Sequence, residues 1–246
     1  MIDYAKSKYS PKFYFYTGDN IIGLSIRMYG EYTETEIDLL KHFINKESVV
    51  YDIGGNIGVH TVAFAHYAKE VYSFEPNEKN YALLEKNTAG LTNVKLYQSA
   101  VSDVVGDAFI SDYDEKGQGN FGECSMSTTG QPCKTLRIDD LSLSPPSLIK
   151  IDVEGHELEV LQGAVSYIKK SGFPPIFFEA WEYDWYREKK DKLFRFLISL
   201  GYKNITSPFS DNNFLAQNKD STNVFLTFET NSATGLMKVL MYTRNI

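Results

Sequence analysis

The sequence predicts an α/β fold: a doubly wound, mostly parallel sheet with helices on both faces. From Ser48 onward, short apolar runs typical of strands alternate with longer stretches whose apolar residues have helical spacing. Short strands joined by helices pair in parallel, because a parallel connection needs a long crossover. In addition, the first apolar run ends in an acid followed by three glycines, at the end of the strand where ligands of such sheets bind.

The segment ahead of the alternation predicts a hairpin and one helix. Residues 13–26 contain two β-rich runs on either side of Thr17-Gly18-Asp19-Asn20, which has the composition of a turn. Residues 31–44 carry apolar side chains at helical spacing, namely Ile37, Leu40, Phe43 and Ile44.

The alternation itself predicts the core elements. Its first half predicts strands at 48–53, 70–74 and 94–100 and helices at 57–68 and 78–88, the latter with Asn77 as N-cap. Its second half predicts strands at 148–152 and 176–179 and helices at 156–170 and 188–200. Further strands are predicted at 202–206, 214–216, 224–228 and 238–242.

Between these halves, residues 101–146 interrupt the pattern. The stretch is polar and glycine-containing, and we interpret residues 111–135 as a lid rather than a second domain. The chain is therefore predicted to be a single domain, 1–246. Its parts are an N-terminal hairpin and helix (1–46), a core (47–217) that includes the lid, and a C-terminal extension (218–246) without an assigned role.

Composition excludes some partners. The net charge of −7 repels phosphate backbones, so we expect no nucleic-acid partner. The two cysteines, Cys124 and Cys133, form no CxxC pair, and the N-terminus lacks the apolar core of a signal peptide. No window approaches the ~20 apolar residues of a membrane span. We expect a cytoplasmic protein with no membrane partner; its oligomeric state is not predicted.

The glycine loop VVYDIGGNIGVHT (49–61) discriminates between two ligand classes. A dinucleotide fingerprint that starts at Gly54 needs glycines at positions 56 and 59, which hold Asn56 and Val59. Asp52 would also repel a pyrophosphate. S-adenosylmethionine (SAM) has no phosphate and carries a positive sulfonium and ammonium, so it suits an acid at the strand tip.

The next predicted strand supports the same ligand. It ends in Ser-Phe-Glu-Pro-Asn, which places Glu75 at the tip beside the glycine loop. A carboxylate at this position typically binds the two hydroxyls of a ribose. An acid, a glycine loop, a helix, a strand and a second acid together favour SAM over an unrelated structural turn.

Downstream, LIKIDVEGHELEVLQGA (148–164) makes the sequence familiar. Together with DIGGNIG and FEPN it closely resembles the FkbM-type family of SAM-dependent methyltransferases. The entry segment Tyr29-Gly30-Glu31-Tyr32 and the stretch TLRIDD (135–140) share the resemblance, which spans roughly residues 19–217. It implies a seven-stranded class I (Rossmann-like) methyltransferase sheet and, usually, O-methylation of a hydroxyl on a small molecule or sugar.

The resemblance also implies residue roles. Asp52, Gly54, Asn56 and Gly58 would face the methionine part of SAM, Glu75 the ribose, and Asp152 the sulfonium. Ala100 and Val101 would lie by the adenine, with Ser102 and Asp103 nearby. The full set of cofactor-binding residues that we predict is Glu31, Asp52, Gly54, Gly55, Asn56, Gly58, Glu75, Pro76, Ala100, Val101, Asp152 and Glu154.

The richest cluster of ionisable groups is Asp152, Glu154 and His156, spaced by two, with Glu179 at the tip of the next strand. We predict Asp152, His156 and Glu179 as catalytic residues, with His156 or Glu179 as the base that takes the acceptor proton. Two alternatives stay open. The acids could hold Mg²⁺, although we predict no metal site, or they could merely begin a helix at its positive end.

Both tryptophans follow the strand predicted at 176–179, in EAWEYDWY (179–186). Aromatic faces beside acids suit a sugar or another polyol as methyl acceptor, although a rim that only packs on the sheet has the same composition. Two other functions remain as alternatives: an NAD(P)-dependent Rossmann oxidoreductase, and a SAM-binding protein without catalytic activity.

Overall fold

The computed structural model describes residues 1–114, 116–209, 211–220, 224–230 and 237–243. Its strands, in chain order, are β1 (Ile2–Ala5), β2 (Phe13–Tyr16), β3 (Val49–Ile53), β4 (Glu70–Phe74), β5 (Val94–Tyr97), β6 (Ala100–Val101), β7 (Gly106–Ile110), β8 (Met126–Ser127), β9 (Gln131–Leu136), β10 (Leu148–Ile151), β11 (Ile176–Glu179), β12 (Asn204–Thr206), β13 (Asn213–Gln217), β14 (Val224–Thr230) and β15 (Met237–Thr243).

The helices are α1 (Ile22–Tyr29), α2 (Glu34–Leu40), α3 (Val59–Tyr67), α4 (Glu78–Thr88), α5 (Glu157–Gln162), α6 (Val165–Lys170) and α7 (Arg187–Leu200). Two 3₁₀ turns span Lys41–Phe43 and Ile138–Asp140. Helix α4 begins as predicted, because the Asn77 side chain accepts hydrogen bonds from the backbone N–H groups of Lys79 and Asn80.

Seven strands form the central sheet in the order β12-β13-β11-β10-β3-β4-β5. The strands β3, β4, β5, β10 and β11 are parallel, whereas β13 is antiparallel to both β11 and β12. The chain builds outward from β3 in one direction and from β10 in the other. The order therefore reverses between β3 and β10, and this is the place where open α/β sheets bind ligands.

Both faces of the sheet are covered, which explains why its central strands read as continuous apolar runs. Tyr51 and Phe178 pack into a core cluster on one face, and Val50 and Phe177 into a cluster on the other. All four side chains are almost completely buried. This confirms the predicted fold class, an α/β sheet of seven strands with helices on both faces.

The hairpin predicted for residues 13–26 is wrong. Strand β2 pairs with β1, and the second run forms helix α1 instead. The Asp19 carboxylate accepts hydrogen bonds from the N–H groups of Ile21 and Ile22 at 2.9 and 3.2 Å, which starts the helix. Ile22 and Ile26, one helical turn apart, then become buried together.

Two other elements are interrupted. The strand predicted at 94–100 divides into β5, in the central sheet, and β6, which leaves it to pair with β9. The helix predicted at 156–170 divides into α5 and α6 at Gly163 and Ala164. The close approach of Gly163 to the carbonyl of Ser102 occurs at this break, where an added Cβ would lie 2.0 Å from that oxygen.

The polar stretch 101–146, which includes the predicted lid, contains β structure that the sequence did not predict. Strands β7, β8 and β9 join β6 in a four-stranded sheet of order β6-β9-β7-β8. The loop between β7 and β8 is held on the N-terminal segment, because the N–H of Asn20 donates to the carbonyl of Gly119 at 2.9 Å. Phe121 is buried there against Tyr113, with ring centroids 4.3 Å apart.

The described part of the C-terminal extension is an antiparallel hairpin, β14 with β15. It is bound to the sheet through Gln217, whose side chain exchanges hydrogen bonds of 2.9 and 2.8 Å with the backbone of Leu226. Both residues are fully buried or nearly so. None of the helices in the described residues has the length and apolarity required to cross a membrane.

Candidate active site

Two connected cavities lie at the carboxyl ends of the parallel strands. The inner cavity, of about 110 Å³, is lined by residues that include Glu75, just after β4, and Ala100 and Val101 of β6. The outer cavity, of about 560 Å³, is lined by residues that include Glu179, the last residue of β11, and Trp181 after it. Both cavities share a boundary formed by Ile22, Tyr32, Gly54, Asn56, Asn120, Asp152 and Glu154.

The glycine loop crosses the switch point between β3 and β10. The N–H groups of Gly54 and Gly55 both donate to the carbonyl of Phe74 at 2.9 Å, which holds the loop on the tip of β4. Gly54 has φ +84°, and a Cβ at this position would lie 1.7 Å from the carbonyl oxygen of Asp152. Glycine is therefore required by the neighbouring strand as well as by any ligand.

Glu75 fixes the loop to the next strand. Its two carboxylate oxygens accept hydrogen bonds from the N–H groups of Asn56 and Asn77, both at 2.8 Å. The side chain is buried at the inner cavity, and this burial raises the pKa of Glu75 to about 7. Each oxygen keeps a further lone pair, so the carboxylate can also accept from a pair of hydroxyls.

The far end of the inner cavity is mostly apolar. Ala100 and Val101 form one wall, and Ile110 and Met126 of the four-stranded sheet also line the cavity. The predicted cofactor residue Pro76 lies beside Glu75 on this lining. Apolar side chains beside a carboxylate suit a base joined to a ribose, as in the adenosine part of SAM.

Lys150 is a site residue that the sequence analysis missed. It is almost fully buried in β10 and lines the outer cavity. Its ammonium donates to the carbonyl of Gly54 at 3.0 Å and lies 3.5 Å from Asp52 and 3.3 Å from Asp152. Burial acts to lower the pKa of Lys150, but the charges of Asp152 and Asp52 raise it above its ordinary value. The sequence signal that could have identified Lys150 is the presence of a lysine within the apolar run LIKI.

Three carboxylates converge where the two cavities meet. Oxygens of Asp152, Glu154 and Glu179 all lie within 4.8 Å of one another. Burial and then the charge of Asp152 raise the pKa of Glu154 to about 9 and that of Glu179 to about 8. One Glu179 oxygen is buried without a hydrogen-bond partner. Such a cluster favours a cation, either an organic one or a divalent metal ion.

The backbone at this cluster is strained. Glu154 has φ +53°, a conformation that costs a non-glycine residue of order 1–3 kcal/mol. The following residue, Gly155, packs against the ring of Trp181, which lies 3.3 Å from where its Cβ would be. The VEG segment therefore turns sharply to aim Glu154 into the cavities.

His156 lies apart from the outer cavity. It lines the inner one, with Nε2 2.9 Å from the Ser102 hydroxyl and Nδ1 3.6 Å from Glu159. Burial lowers the pKa of His156. Both ring nitrogens face protein groups, so the predicted role of His156 as catalytic base stays a prediction, and Glu179 is the other candidate.

Three predicted cofactor residues do not line either cavity. Asp52 is completely buried below the loop, where it accepts a 2.5 Å hydrogen bond from Thr61 and pairs with Lys150. Gly58, with φ +96°, begins helix α3 against Leu84. Glu31 is exposed after the turn at Gly30, and Tyr32 is the residue of this segment that lines both cavities. Direct contact of these three residues with a ligand is not supported.

The remaining predicted residues are brought together. Each of the following lines one cavity or both: Gly54, Gly55, Asn56, Glu75, Pro76, Ala100, Val101, Asp152, Glu154 and Glu179.

Aromatic rings form the mouth of the outer cavity. Tyr183 and Trp185 are stacked, with centroids 5.9 Å apart and an interplanar angle of 12°, and Trp181 lies 5.4 Å from Trp185. Tyr183 is 57% exposed and Trp185 71% exposed. Large exposed aromatic surface beside a cavity is typical of a binding site.

Comparison with known proteins identifies a family model and a curated relative. The family model described as methyltransferase FkbM domain matches residues 52–203. The curated hexuronic acid methyltransferase AglP of Haloferax volcanii is 32% identical over 144 residues, which cover 56% of this chain and 58% of that protein. This chain therefore matches little more than half the length of that relative.

Solved structures resemble the chain more distantly. A methyltransferase FkbM from Methylobacillus flagellatus has 18% identity and a TM-score of 0.48, covering 69% of this chain and 43% of that one. SMU.1697c of Streptococcus mutans, solved in complex with SAH, has 16% identity and a TM-score of 0.44, covering 85% of this chain and 94% of that one. Neither TM-score is high enough for the likeness to bear on activity.

Proposed function

We propose, from the premise that this chain belongs to the family of FkbM-domain methyltransferases, that it transfers a methyl group from SAM to a hydroxyl group of a sugar. The single observation that carries the proposal is the convergence of Asp152, Glu154 and Glu179 where the inner and outer cavities meet. Carboxylates at the boundary between the inner cavity and a wider one suit a cationic methyl donor on one side and an acceptor on the other.

The residues of the inner cavity fit SAM. Glu75 would hold the ribose hydroxyls, Ala100 and Val101 the adenine, and Gly54 with Asn56 the methionine part. When bound, SAM supplies a methyl group already activated by its sulfonium charge. Asp152 and Glu154 would lie near that charge, which lowers the cost of keeping two carboxylates ionised in a buried place.

Glu179 is the residue best placed to accept the proton of the acceptor hydroxyl. It lines the outer cavity, whereas Glu154 and Asp152 form the boundary with the inner one. With SAM bound, Glu179 would take the proton of the acceptor hydroxyl as that oxygen receives the methyl group, and the donor would leave as a neutral thioether. Proton removal by a positioned carboxylate contributes typically 10²–10⁴-fold to rate.

Two observations favour a sugar as acceptor. The stacked Tyr183 and Trp185 offer apolar faces beside polar side chains such as Asn212 and Asn213, and a sugar ring has both apolar and hydroxyl surfaces. The relative AglP is named as a methyltransferase of a hexuronic acid.

The proposal is tested by calorimetry and a transfer assay. SAM and NAD are titrated separately against the protein, and we expect heat with SAM alone. Methyl transfer from isotopically labelled SAM is then followed with a panel of simple glycosides, with and without EDTA. Loss of transfer in EDTA would show that the three carboxylates hold a metal ion. Binding of NAD but not SAM would refute the proposal.

A SAM-binding protein without activity is the remaining alternative. It would bind SAM and then transfer no methyl group to glycosides, lipids or peptides. Glu75→Ala tests whether the inner cavity binds SAM. This variant should weaken SAM binding whichever of the two functions is correct.

A further inference from the structure

The charge of the outer cavity indicates which class of sugar can be the methyl acceptor; this inference rests on the function proposed above. Five carboxylates line this cavity: Glu36, Glu123, Asp152, Glu154 and Glu179. In the described residues of the same lining, the basic side chains are Lys150 and His60. The lining is therefore dominated by acids, and its binding preference depends on whether those two bases are available.

Both basic residues are already paired. The Lys150 ammonium lies against Gly54, Asp52 and Asp152 and is almost fully buried. Nε2 of His60 lies 3.3 Å from the Glu36 carboxylate, and the histidine is also buried. An incoming carboxylate would have to displace a protein carboxylate from Lys150 or from His60.

Two carboxylates of the lining, Glu179 and Glu123, have unused acceptor capacity. Glu179 keeps a buried oxygen without a hydrogen-bond partner. Glu123 is exposed and accepts a hydrogen bond of 2.8 Å from Asn120. These groups can accept from hydroxyl or ammonium donors, whereas a carboxylate brought against the exposed Glu123 carboxylate would be repelled, at a cost of several kcal/mol for a close like-charge pair.

We propose that the methyl acceptor of this protein is a sugar without a carboxylate group, either neutral or amine-bearing, and that a uronic acid is discriminated against by the acidic lining of the outer cavity. The aromatic mouth would hold the ring face, and Glu123 and Glu179 would accept from its polar groups. This preference differs from the hexuronic acid named for the relative AglP.

The test uses sets of methyl glycosides that share stereochemistry and differ in charge: a hexoside, its 2-amino form and its uronide. Affinity is measured calorimetrically for the protein saturated with S-adenosylhomocysteine, and kcat/KM is measured with SAM. We expect the uronide to be at least about tenfold poorer than the hexoside in both measurements, since one close like-charge contact costs that much or more.

A charge reversal checks that the lining causes this preference. Glu123→Lys should raise kcat/KM for the uronide several-fold and lower it for the amino sugar. Glu182→Lys is the matched control, because Glu182 adjoins the aromatic mouth but does not line the cavity. The acceptor preference of this variant should be the same as that of the unmodified protein.

The outcomes separate the two proposals. A uronide that binds and reacts as well as the hexoside, or a Glu123→Lys variant with unchanged preference, overturns the charge inference and leaves methyl transfer to sugars intact. Failure of every glycoside to bind or react, with SAM still bound, overturns the sugar acceptor itself and this inference with it.

Discussion

Glu179 combines three properties at the residue scale: it lines the acceptor side of the site, has a buried oxygen without a partner, and has a raised pKa. Burial and the charge of Asp152 together disfavour its ionised form. A base that is partly protonated at neutral pH limits the rate until the pH passes its pKa, so the pH dependence of activity reports on this residue.

We expect Glu179→Gln to lower kcat by about 10²–10⁴-fold while SAM affinity changes little. In the unmodified protein, kcat/KM should rise with pH through the raised pKa of Glu179, about 8, because the base is the ionised form. Rates of methyl transfer, measured in the pre-steady state or the steady state between pH 6 and 9.5, test this rise in kcat/KM. His156→Gln serves as the comparison, and an equal loss of kcat there would return the base to His156.

Lys150 illustrates how one buried cation can organise a site. Its ammonium connects the carbonyl of the glycine loop with the carboxylates at the tips of β3 and β10. Removal of this charge would leave Asp52, which is completely buried, without its cation.

We therefore expect Lys150→Met to lower the free energy of unfolding by about 3–5 kcal/mol, the cost of breaking a buried ion pair. Lys69→Met removes a lysine whose side chain is 63% exposed and pairs with Glu47, and should change stability by less than about 1 kcal/mol. Urea denaturation of both variants makes the comparison. Equal, small effects would mean that the ion pairs of Lys150 contribute little to stability.

The glycine loop is the element that joins fold and site. It connects β3 to α3, is held by hydrogen bonds to β4, and touches the backbone after β10 at Gly54. Strand tips this close allow the boundary between the two cavities to be formed by three neighbouring segments at once.

Gly54→Ala should both strain the backbone and collide with the Asp152 carbonyl, since its Cβ would lie 1.7 Å from that oxygen. Gly90→Ala isolates the backbone strain, because Gly90 has φ +93° and an added Cβ there would have nothing within 4 Å. We expect Gly90→Ala to cost about 1–2 kcal/mol and Gly54→Ala clearly more, with loss of SAM binding. Thermal unfolding and calorimetry test this, and equal costs for the two variants would argue against the close contact.

At the scale of the whole molecule, folding buries several carboxyl groups in the site, and burial disfavours their ionised forms. The pKa values of Glu75, Glu179 and Glu154 are raised to about 7, 8 and 9, all mainly by burial. In the unfolded chain these groups release their protons near pH 4.5. The folded protein therefore holds extra protons through the neutral range.

Because the folded state binds more protons, the free energy of unfolding should fall as the pH rises from about 5 to 9. The contribution of these groups is complete below pH 4.5 and is lost as each folded pKa is passed. Chemical denaturation at a series of pH values measures the slope. Saturating SAM should reduce it, because a nearby cation favours the ionised carboxylates, and a slope unchanged by Glu179→Gln would contradict the assignment.

Much of the fold could be predicted from local pattern. The strand Glu70–Phe74, the helix Glu78–Thr88 and the strand Ile176–Glu179 have the predicted bounds. The helix α1 (Ile22–Tyr29) was not predicted, because its β-formers and helix-formers are balanced; hydrogen bonds to Asp19 and burial of Ile22 and Ile26 select the helix. The four-stranded sheet depends on pairing between segments about 30 residues apart, which no local pattern records.

By itself, the sequence determined the α/β class, the family, and the acids and glycines at the strand tips, because these depend on local composition and short motifs. Tertiary structure decided which of those residues share a cavity. It placed Glu75, Asp152, Glu154 and Glu179 on the cavities, directed Asp52 into the protein toward Lys150, and left Glu31 in solvent. The physical reason is that side-chain direction and burial at a strand tip depend on contacts between segments far apart in the chain.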